Sequence, residues 1–325
     1  MPTLTVAVTG PTGTFGYGLM PLLQDDERIG RVVGIARRPF DPSAQGWTKM
    51  AYRQGDVQDQ AGLRAAFEGA DVVVHLAFLI IGGSRETTRA VNVEGTLNAF
   101  RAAAEAGVKR FVYASSVAAY GFHRDNPVGM TEEWPTRPAK RLFYSQEKAE
   151  LEDLLHDEAA KHPGLALYLL RPSIVVGPHA VGAKDLLPGR LAPLGRRIPL
   201  RRLPLPLPAA VPDVPVQLVH EADVGQALLQ CVVAAGPPAA YNIAGDGVLS
   251  LPQLAREAGF LPVPLPTGPS QAVFRALAKV PGLPSAAEWV EAFSHPAVMD
   301  TTKAKEQLGW VPAYTGLEAL RDTLR

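Results

Sequence analysis

The sequence predicts an α/β fold: a doubly wound parallel sheet covered by helices on both faces, followed by a smaller, mostly helical C-terminal region. Two observations predict it. Strand-like and helix-like patterns alternate through the first half of the 325-residue chain, and parallel strands need such helical crossovers. The chain also opens on a buried-type strand that runs directly into a glycine-rich turn and a helical pattern.

The opening stretch Val6–Gly16 reads VAVTGPTGTFG and favours a phosphate site for a dinucleotide. The first glycine makes the sharp turn off the strand, the second leaves room for a pyrophosphate, and the third lets the helix pack closely on the strand. Backbone N–H groups at the helix start lack intrahelical partners and attract an anion. A plain strand–turn–helix connection is the alternative. The residues predicted to bind the cofactor here are Gly10, Gly13, Thr14, Phe15 and Gly16.

The remaining elements continue the alternation. The predicted strands are Arg31–Ala36, Met50–Arg53, Val72–Leu76, Arg110–Ala114, Leu165–Arg171, Val216–Val219 and Ala240–Ile243. The predicted helices are Leu63–Phe67, Thr88–Ala106, Tyr144–Glu158 and Ala222–Ala234, with short helices in the tail from Leu251 onward. Because such sheets bind ligands at the carboxyl ends of their strands, site residues are expected there.

A change of pattern divides the chain. Residues 1–175 are predicted to form a dinucleotide-binding domain to which 216–246 return, while 176–215 and 247–325 form a smaller substrate-binding region. Dense prolines in Val176–Pro215 exclude helix interiors and central strands. An ordered loop packed over a site is favoured there, and a proline-rich ligand for a partner is the alternative.

Composition favours a cytoplasmic enzyme with a small-molecule substrate. Lys and Arg together number 32, as do Asp and Glu, so no net charge recruits nucleic acid or a membrane surface. The N-terminus lacks a signal-peptide pattern, and no apolar run approaches the roughly 20 residues of a membrane-spanning helix. The single Cys231 gives no disulfide framework. Neither His75 nor His220 has a second ligand at a metal-binding spacing, so no metal site is expected.

The end of the second strand bears on cofactor choice. An acidic residue there binds the adenosine ribose hydroxyls of NAD, whereas an arginine suits the 2′-phosphate of NADP. The strand runs into Ala36, Arg37 and Arg38 without a carboxylate. The sequence therefore favours NADP(H), with Arg37 as the phosphate-binding residue, and leaves NAD(H) as the alternative.

A tyrosine, a lysine and a serine form the candidate catalytic set. Tyr144 and Lys148 stand four residues apart and so share one face of the predicted helix. A neighbouring ammonium favours the phenolate, which is expected to bring the tyrosine pKa down toward the working range. Ser115 and Ser116 follow the strand Arg110–Ala114 and place a hydroxyl at the ligand edge of the sheet.

With these motifs in place, the whole chain resembles the extended short-chain dehydrogenase/reductase family, also called the NAD-dependent epimerase/dehydratase family, whose fold is Rossmann-type. The matching stretches are TGPTGTFG near the start, GDVQD at 55–59, VVVHLA at 72–77, NVEGT at 92–96, FVYASSVAAYG at 111–121, YSQEK at 144–148, LRPSIVVGP at 170–178, VHEADVGQA at 219–227 and LGWVP at 308–312.

The resemblance implies residue roles. Tyr144 would be the catalytic acid/base, Lys148 would lower its pKa and hold the nicotinamide ribose, and Ser116 would bind the reacting oxygen. The further cofactor-binding residues that it implies are Asp56 and Val57 near the adenine, Ala77 through its backbone, Asn92 near the ribose, Ser115 beside the cofactor and Pro172 against the nicotinamide.

Two positions bear on the reaction. Sugar-nucleotide members of this family usually carry an Asn where this chain has Ile174, and commonly an Arg where it has Val216. Both groups that would bind a diphosphate are thus replaced by apolar side chains. Arginines of the irregular segment are the alternative donors: Arg190, Arg196, Arg197, Arg201 and Arg202.

We therefore interpret the sequence as an NADP(H)-linked reductase or dehydrogenase that moves hydride between the nicotinamide and a carbonyl or alcohol of a mostly apolar small molecule. The alternative is a sugar-nucleotide epimerase or dehydratase with retained NAD. A third hypothesis is a cofactor-sensing regulatory protein, but the presence of the Ser-Tyr-Lys set argues against it. By analogy with relatives, Thr88–Ala106 and Tyr144–Glu158 would pair two copies into a homodimer.

Overall fold

The computed structural model describes residues 3–80, 84–180, 207–265 and 295–325. Most of the irregular segment therefore lies outside the described residues, together with the five arginines considered as diphosphate donors. Residues 266–294 of the predicted substrate-binding region lie outside them as well.

A parallel sheet forms the centre of the fold, as the sequence predicted, and it contains seven strands. Its order, from one edge to the other, is β11-β6-β5-β4-β1-β2-β3. The strands are β1 (Leu4–Thr9), β2 (Ile29–Ala36), β3 (Met50–Gln54), β4 (Val72–His75), β5 (Arg110–Ala114), β6 (Ala166–Pro172) and β11 (Ala240–Ile243). The chain reverses its direction of travel across the sheet between β1 and β4, and this switch point leaves a crevice at the carboxyl ends of the strands.

Helices connect these strands. They are α1 (Thr14–Asp25), α2 (Gln60–Phe67), α3 (Arg85–Arg89), α4 (Gly95–Glu105), α5 (Phe143–Lys161) and α6 (Glu221–Val232). The core consequently lies in two layers. Leu19 of α1 and Leu228 of α6 pack on one face of the sheet, and Phe100 of α4 and Leu155 of α5 pack on the other. Each such buried side chain stabilises the fold by about 1.5–3 kcal/mol.

Helices α1 and α6 approach each other backbone to backbone. A Cβ added to Gly18 would lie 2.1 Å from the carbonyl oxygen of Glu221, and one added to Gly225 would lie 2.1 Å from the carbonyl oxygen of Gly18. Only glycine fits at both positions. This contact holds the start of α6 beside α1, the helix that leads out of the glycine-rich turn.

Two predicted elements differ from the structure. The predicted helix over 88–106 begins earlier, at Arg85, and its middle, Ala90–Glu94, is a π-helical turn. The predicted strand over 216–219 is divided into β9 (Pro215–Val216) and β10 (Leu218–His220), which pair with different partners. Gln217 lies between them, and its side chain bonds the backbone of Met299 in both directions.

The smaller region contains short strands as well as the predicted helices. The strands are β7 (Ile174–Val176), β8 (Pro208–Pro212), β12 (Leu249–Ser250) and β13 (Leu261–Leu265). They form two-stranded pairs, β10 with β7, β12 with β9 and β13 with β8. The helices are α7 (Leu251–Glu257), α8 (Thr302–Leu308) and α9 (Gly316–Thr323). The division into two domains stays a prediction.

Among the described residues, no helix combines the length and the apolar character needed to cross a bilayer. The cytoplasmic location and the homodimer stay predictions.

Candidate active site

The first glycine of the opening turn adopts a conformation that other residues disfavour. Gly10 has φ +72°, and its N–H donates to the carbonyl oxygen of Ile35 at 2.8 Å. A Cβ at this position would lie 2.9 Å from the backbone nitrogen of Ala77. The turn after β1 and the segment after β4 therefore touch through their backbones, which forms the floor of the crevice at the switch point.

The second and third glycines serve different purposes. Gly13 is the exposed N-cap of α1 and brings no side chain to its first turn, which contains Thr14 and Phe15. A Cβ on Gly16 would lie 2.1 Å from the carbonyl oxygen of Pro11, so the close approach predicted for Gly16 is to the turn itself rather than to the strand. The helix start is thus held tightly while its N-terminal face stays accessible to an anion.

At the end of β2 the predicted NADP determinant lies on the surface. Arg37 is exposed, and its carbonyl oxygen accepts a hydrogen bond from Gln54. Asp56 follows β3, and its carboxylate accepts from the backbone of Gln58 at 3.0 Å. Val57 is buried, and a Cβ on Gly95 would lie 2.5 Å from its side chain. These residues lie after neighbouring strands at one edge of the sheet.

Asn92 joins two parts of the site. Its side-chain oxygen accepts from the N–H of Leu79 at 2.7 Å, and its amide donates to the Leu79 carbonyl at 2.9 Å and to the Glu147 carboxylate at 2.8 Å. Asn92 is fully buried in the π-helical turn. It therefore ties the segment after β4, which contains Ala77, to helix α5, the helix of Tyr144.

His75 belongs to a buried chain of hydrogen bonds. The Thr96 hydroxyl donates to the carbonyl of Asn92, so it accepts from Nε2–H of His75, whose Nδ1 then accepts from the Thr9 hydroxyl at 2.8 Å. Burial lowers the pKa of His75 to about 3, and the charge of Lys148 acts in the same direction. His75 is a neutral side chain that joins β1, β4 and α4.

The two serines after β5 point in different directions. Ser115 is buried, and its hydroxyl donates to the carboxylate of Glu152, so this side chain faces the protein interior, and its role beside the cofactor stays a prediction. Ser116 caps the 3₁₀ turn Val117–Tyr120, and its oxygen accepts from the N–H of Ala118 at 3.1 Å. This bond uses the Ser116 oxygen as an acceptor, so the hydroxyl can still donate its own proton to another oxygen.

Tyr144 and Lys148 lie on one face of α5, as predicted, and the Tyr144 hydroxyl is hydrogen-bonded with Ser116. The Lys148 amine donates to the Tyr113 hydroxyl at 3.0 Å and to the carbonyl of Ala114 at 2.7 Å. The structure thus brings Ser116, Tyr144 and Lys148 together at the carboxyl end of β5.

The pKa values in this structure differ from the expected pattern. Burial raises the pKa of the Tyr144 phenol to about 12, and the hydrogen bond with Ser116 opposes that shift. Burial lowers the pKa of the Lys148 amine to about 7, while the charges of Glu152 and Glu147 oppose it. In the protein alone the Tyr144 pKa is therefore raised, opposite to the expected direction, because loss of hydration outweighs the hydrogen bond with Ser116.

Aromatic rings surround the lysine. Its amine lies 3.6 Å from the ring centroid of Phe78, 4.7 Å from that of Tyr113 and 5.8 Å from that of Tyr144. Phe78 also packs edge-on against Tyr144, with the ring centroids 5.6 Å apart. Electron-rich ring faces attract a cation, so Phe78 stabilises the charged amine. Sequence reasoning did not identify Phe78.

A buried ion pair lies behind the site, and sequence reasoning missed it as well. Arg171 of β6 contacts Glu152 with its Nη2 2.5 Å from Oε2 and its Nε 3.0 Å from Oε1. The same guanidinium donates to the Tyr120 hydroxyl at 2.6 Å. Tyr144, Lys148 and Glu152 recur every four residues on α5 and so share one helix face. The charge of Glu152 on the face of the candidate catalytic residues was the feature of the sequence that could have indicated an ion pair there.

The end of β6 completes the site. Pro172 is buried and pairs with Ile243 of β11. Ile174 is 38% exposed, whereas Val216 is buried, so only the first of these two apolar replacements reaches the surface.

Within the described ranges, no group of three or more His, Cys, Asp or Glu side chains could hold a metal ion. His220 caps α6 through Ala222, and burial raises the pKa of the Cys231 thiol.

Comparisons with known proteins agree with this architecture. An uncharacterised protein of Mycobacterium tuberculosis is 27% identical over 329 residues, which cover 98% of this chain and 83% of that protein. The sterol demethylase protein B of Methylococcus capsulatus is 33% identical over 179 residues, which cover 54% of this chain and 52% of that protein.

Solved structures share the fold. The UDP-glucose 4-epimerase of Thermotoga maritima, solved with UDP-glucose, has a TM-score of 0.73 at 21% identity and covers 99% of this chain and 97% of its own. The dTDP-glucose 4,6-dehydratase of Bacillus anthracis, solved with NAD, has a TM-score of 0.73 at 16% identity and covers 99% of this chain and 96% of its own. A family model described as the NAD dependent epimerase/dehydratase family matches residues 6–244. The chain therefore belongs to the NAD-dependent epimerase/dehydratase family.

Proposed function

We propose that this chain is an NADP(H)-linked oxidoreductase that moves hydride between the nicotinamide and a carbonyl or alcohol of a mostly apolar small molecule. One observation carries the proposal: the Tyr144 hydroxyl is hydrogen-bonded with Ser116 beside the buried amine of Lys148, at the carboxyl end of β5. The glycine-rich turn at the switch point fits a dinucleotide, because Gly13 leaves the start of α1 accessible and Gly10 brings two backbone segments together.

Ser116, Tyr144 and Lys148 have different roles in the proposed reaction. When bound, the nicotinamide supplies or accepts the hydride. Ser116 orients the substrate oxygen by donating a hydrogen bond to it. Tyr144 donates a proton to that oxygen during reduction and removes it during oxidation. Since its pKa is about 12 in the protein alone, the phenol is protonated at neutral pH, which is the form that reduction requires. Lys148 stabilises the phenolate that remains.

The preference for NADP(H) rests on Arg37. It is exposed at the end of β2, and the three residues that follow the strand core, Ala36, Arg37 and Arg38, include no carboxylate to bind ribose hydroxyls. A guanidinium at this place pairs with a 2′-phosphate through charge-assisted hydrogen bonds.

An apolar substrate is favoured by two features. Ile174 and Val216 occupy the positions at which sugar-nucleotide enzymes of this family carry polar groups for the diphosphate, and a phosphate left without donors is costly to bury. The name of the Methylococcus relative denotes action on a sterol, which is a largely apolar molecule.

A second candidate function is a sugar-nucleotide epimerase or dehydratase with retained NAD. It is favoured by the two solved structures, which are a UDP-glucose 4-epimerase and a dTDP-glucose 4,6-dehydratase. The absorbance spectrum of the purified protein separates the two proposals. Retained nicotinamide and turnover of UDP-glucose without net redox change support the second. An empty protein that oxidises NADPH with apolar ketones supports the first, and failure to bind either pyridine nucleotide refutes both.

A further inference from the structure

Glu147 is a buried carboxylate with an incomplete set of hydrogen bonds. It directly precedes Lys148 on α5 and is only 1% exposed. Oε2 accepts the Asn92 amide at 2.8 Å, whereas the buried Oε1 has no hydrogen-bond partner among the described residues. A carboxylate taken out of water with one hydrogen bond destabilises the folded protein.

The charges near Lys148 come from several elements. On α5 itself, Glu152 and, to a smaller extent, Glu147 favour its charged form. Tyr113 of β5 accepts its hydrogen bond, and His75 of β4 is neutral. The charge of Glu152 is already paired with Arg171 at 2.5 Å.

The other nearby guanidinium is committed elsewhere. Arg89 makes a two-point ion pair with Glu150, with contacts of 2.5 and 2.7 Å. It acts on Glu147 only by electrostatic attraction, without a hydrogen bond. Glu147 is thus the carboxylate near Lys148 that no arginine contacts within the described residues. Burial raises the pKa of Glu147, and the Asn92 hydrogen bond and the Lys148 charge oppose that shift.

We propose that Glu147 is a positioning residue for the Tyr144–Lys148 pair. Its carboxylate keeps the lysine amine charged, and its hydrogen bond to Asn92 fixes the Leu79 segment, which holds Phe78 against that amine. This inference rests on the proposed reductase function, in which the charged amine assists proton transfer by Tyr144. It assigns to Glu147 an electrostatic task that a packing residue would not have.

The test is the pH profile of kcat/KM for NADPH-dependent reduction of 4-nitrobenzaldehyde. Glu147→Gln keeps an oxygen for Asn92 but removes the charge, so the Lys148 amine loses its proton at lower pH. We expect the alkaline limb of the profile, where kcat/KM falls as the pH rises, to shift to lower pH by about half a unit or more. A nearby opposite charge typically shifts a pKa by that much or more. Glu147→Asp retains the charge and should restore part of the limb.

The matched control is Glu150→Gln, on the same helix but in a largely exposed ion pair with Arg89. Its alkaline limb should coincide with that of the wild type. If Glu147→Gln leaves the limb in place while the wild type turns over, the inference is wrong and the proposed function stands. If the wild type neither binds NADPH nor turns over, the proposed function and this inference both fail.

Thermal unfolding gives a second measurement that needs no substrate. The raised pKa of Glu147 means that its burial costs stability above that pKa, where the carboxyl is ionised, and not below it. Glu147→Gln should therefore raise the unfolding midpoint at pH 8 more than at pH 5. A variant destabilised equally at both pH values would indicate a packing role and overturn the proposal.

Discussion

Gly13→Ala should separate cofactor binding from folding. Gly13 has φ −89° and ψ 176°, an extended conformation that alanine adopts freely. The added Cβ would meet one atom within 4 Å, the carbonyl oxygen of Gly10 at 3.5 Å, which is an ordinary contact. Alanine is a poorer N-cap than glycine, but it also reduces the entropy of the unfolded chain. The free energy of unfolding should therefore change by about 1 kcal/mol or less.

The cofactor should respond differently, because the same methyl group occupies the exposed face of the helix start, where a pyrophosphate would contact the backbone. Losing that close approach should weaken NADPH binding by about tenfold or more, which corresponds to about 1.4 kcal/mol. Fluorescence titration of NADPH measures the Kd, and urea unfolding measures the stability.

Gly164→Ala is the matched control, since an added Cβ there has nothing within 4 Å and the position lies away from the turn. Its Kd should match the wild type, and its free energy of unfolding should also change by about 1 kcal/mol or less. An unchanged Kd for Gly13→Ala in a folded protein would refute the placement of the pyrophosphate at this turn.

Three further predictions follow from the site. Arg37→Ala should weaken NADPH binding by about tenfold and leave NADH binding unchanged, because only NADPH has the phosphate that a guanidinium would bind; equal losses for both nucleotides in parallel titrations would contradict the role of Arg37. Tyr144→Phe should lower kcat by roughly 10²-fold or more while the Kd for NADPH stays within about twofold, which stopped-flow reduction and fluorescence titration measure; undiminished turnover would exclude the phenol as the proton donor. Glu152→Gln should reduce the free energy of unfolding by about 3–5 kcal/mol in urea titrations, because it leaves the buried Arg171 guanidinium without its counter-charge; a loss below about 1 kcal/mol would show that the pair contributes little.

The regular elements were predictable because they depend on local pattern. The strands Arg110–Ala114 and Ala240–Ile243 have the predicted bounds, since each is a short run set off by polar or turn-forming residues. The interruption of the helix at Ala90–Glu94 was not predictable in this way. There the buried Asn92 bonds the Leu79 segment and α5, contacts that depend on the tertiary fold and not on helical periodicity.

The site shows the same division between local and distant causes. The spacing of Tyr144 and Lys148 correctly placed them on one helix face, and Ser116 came next to them because the carboxyl ends of parallel strands meet at one edge. The orientation of Ser115 toward Glu152 could not be inferred, because its partner lies 37 residues away on another element. Burial, too, is a tertiary property, and it reversed the expected direction of the Tyr144 pKa.

Helix α5 carries the candidate catalytic residues and one partner of the buried ion pair on the same face. Tyr144, Lys148 and Glu152 repeat at the helical period and descend from the open edge of the sheet into the interior, where Arg171 of β6 meets the last of them. The buried ion pair anchors the helix to the strand that ends at Pro172, so the phenol, the amine and the end of β6 are held in one fixed relation. An interior that excludes water makes the amine easier to deprotonate, and the same exclusion strengthens the attraction of each nearby carboxylate. The charge of Lys148 is therefore set by burial against its acidic neighbours, so the loss of either carboxylate should lower the pH at which the amine loses its proton.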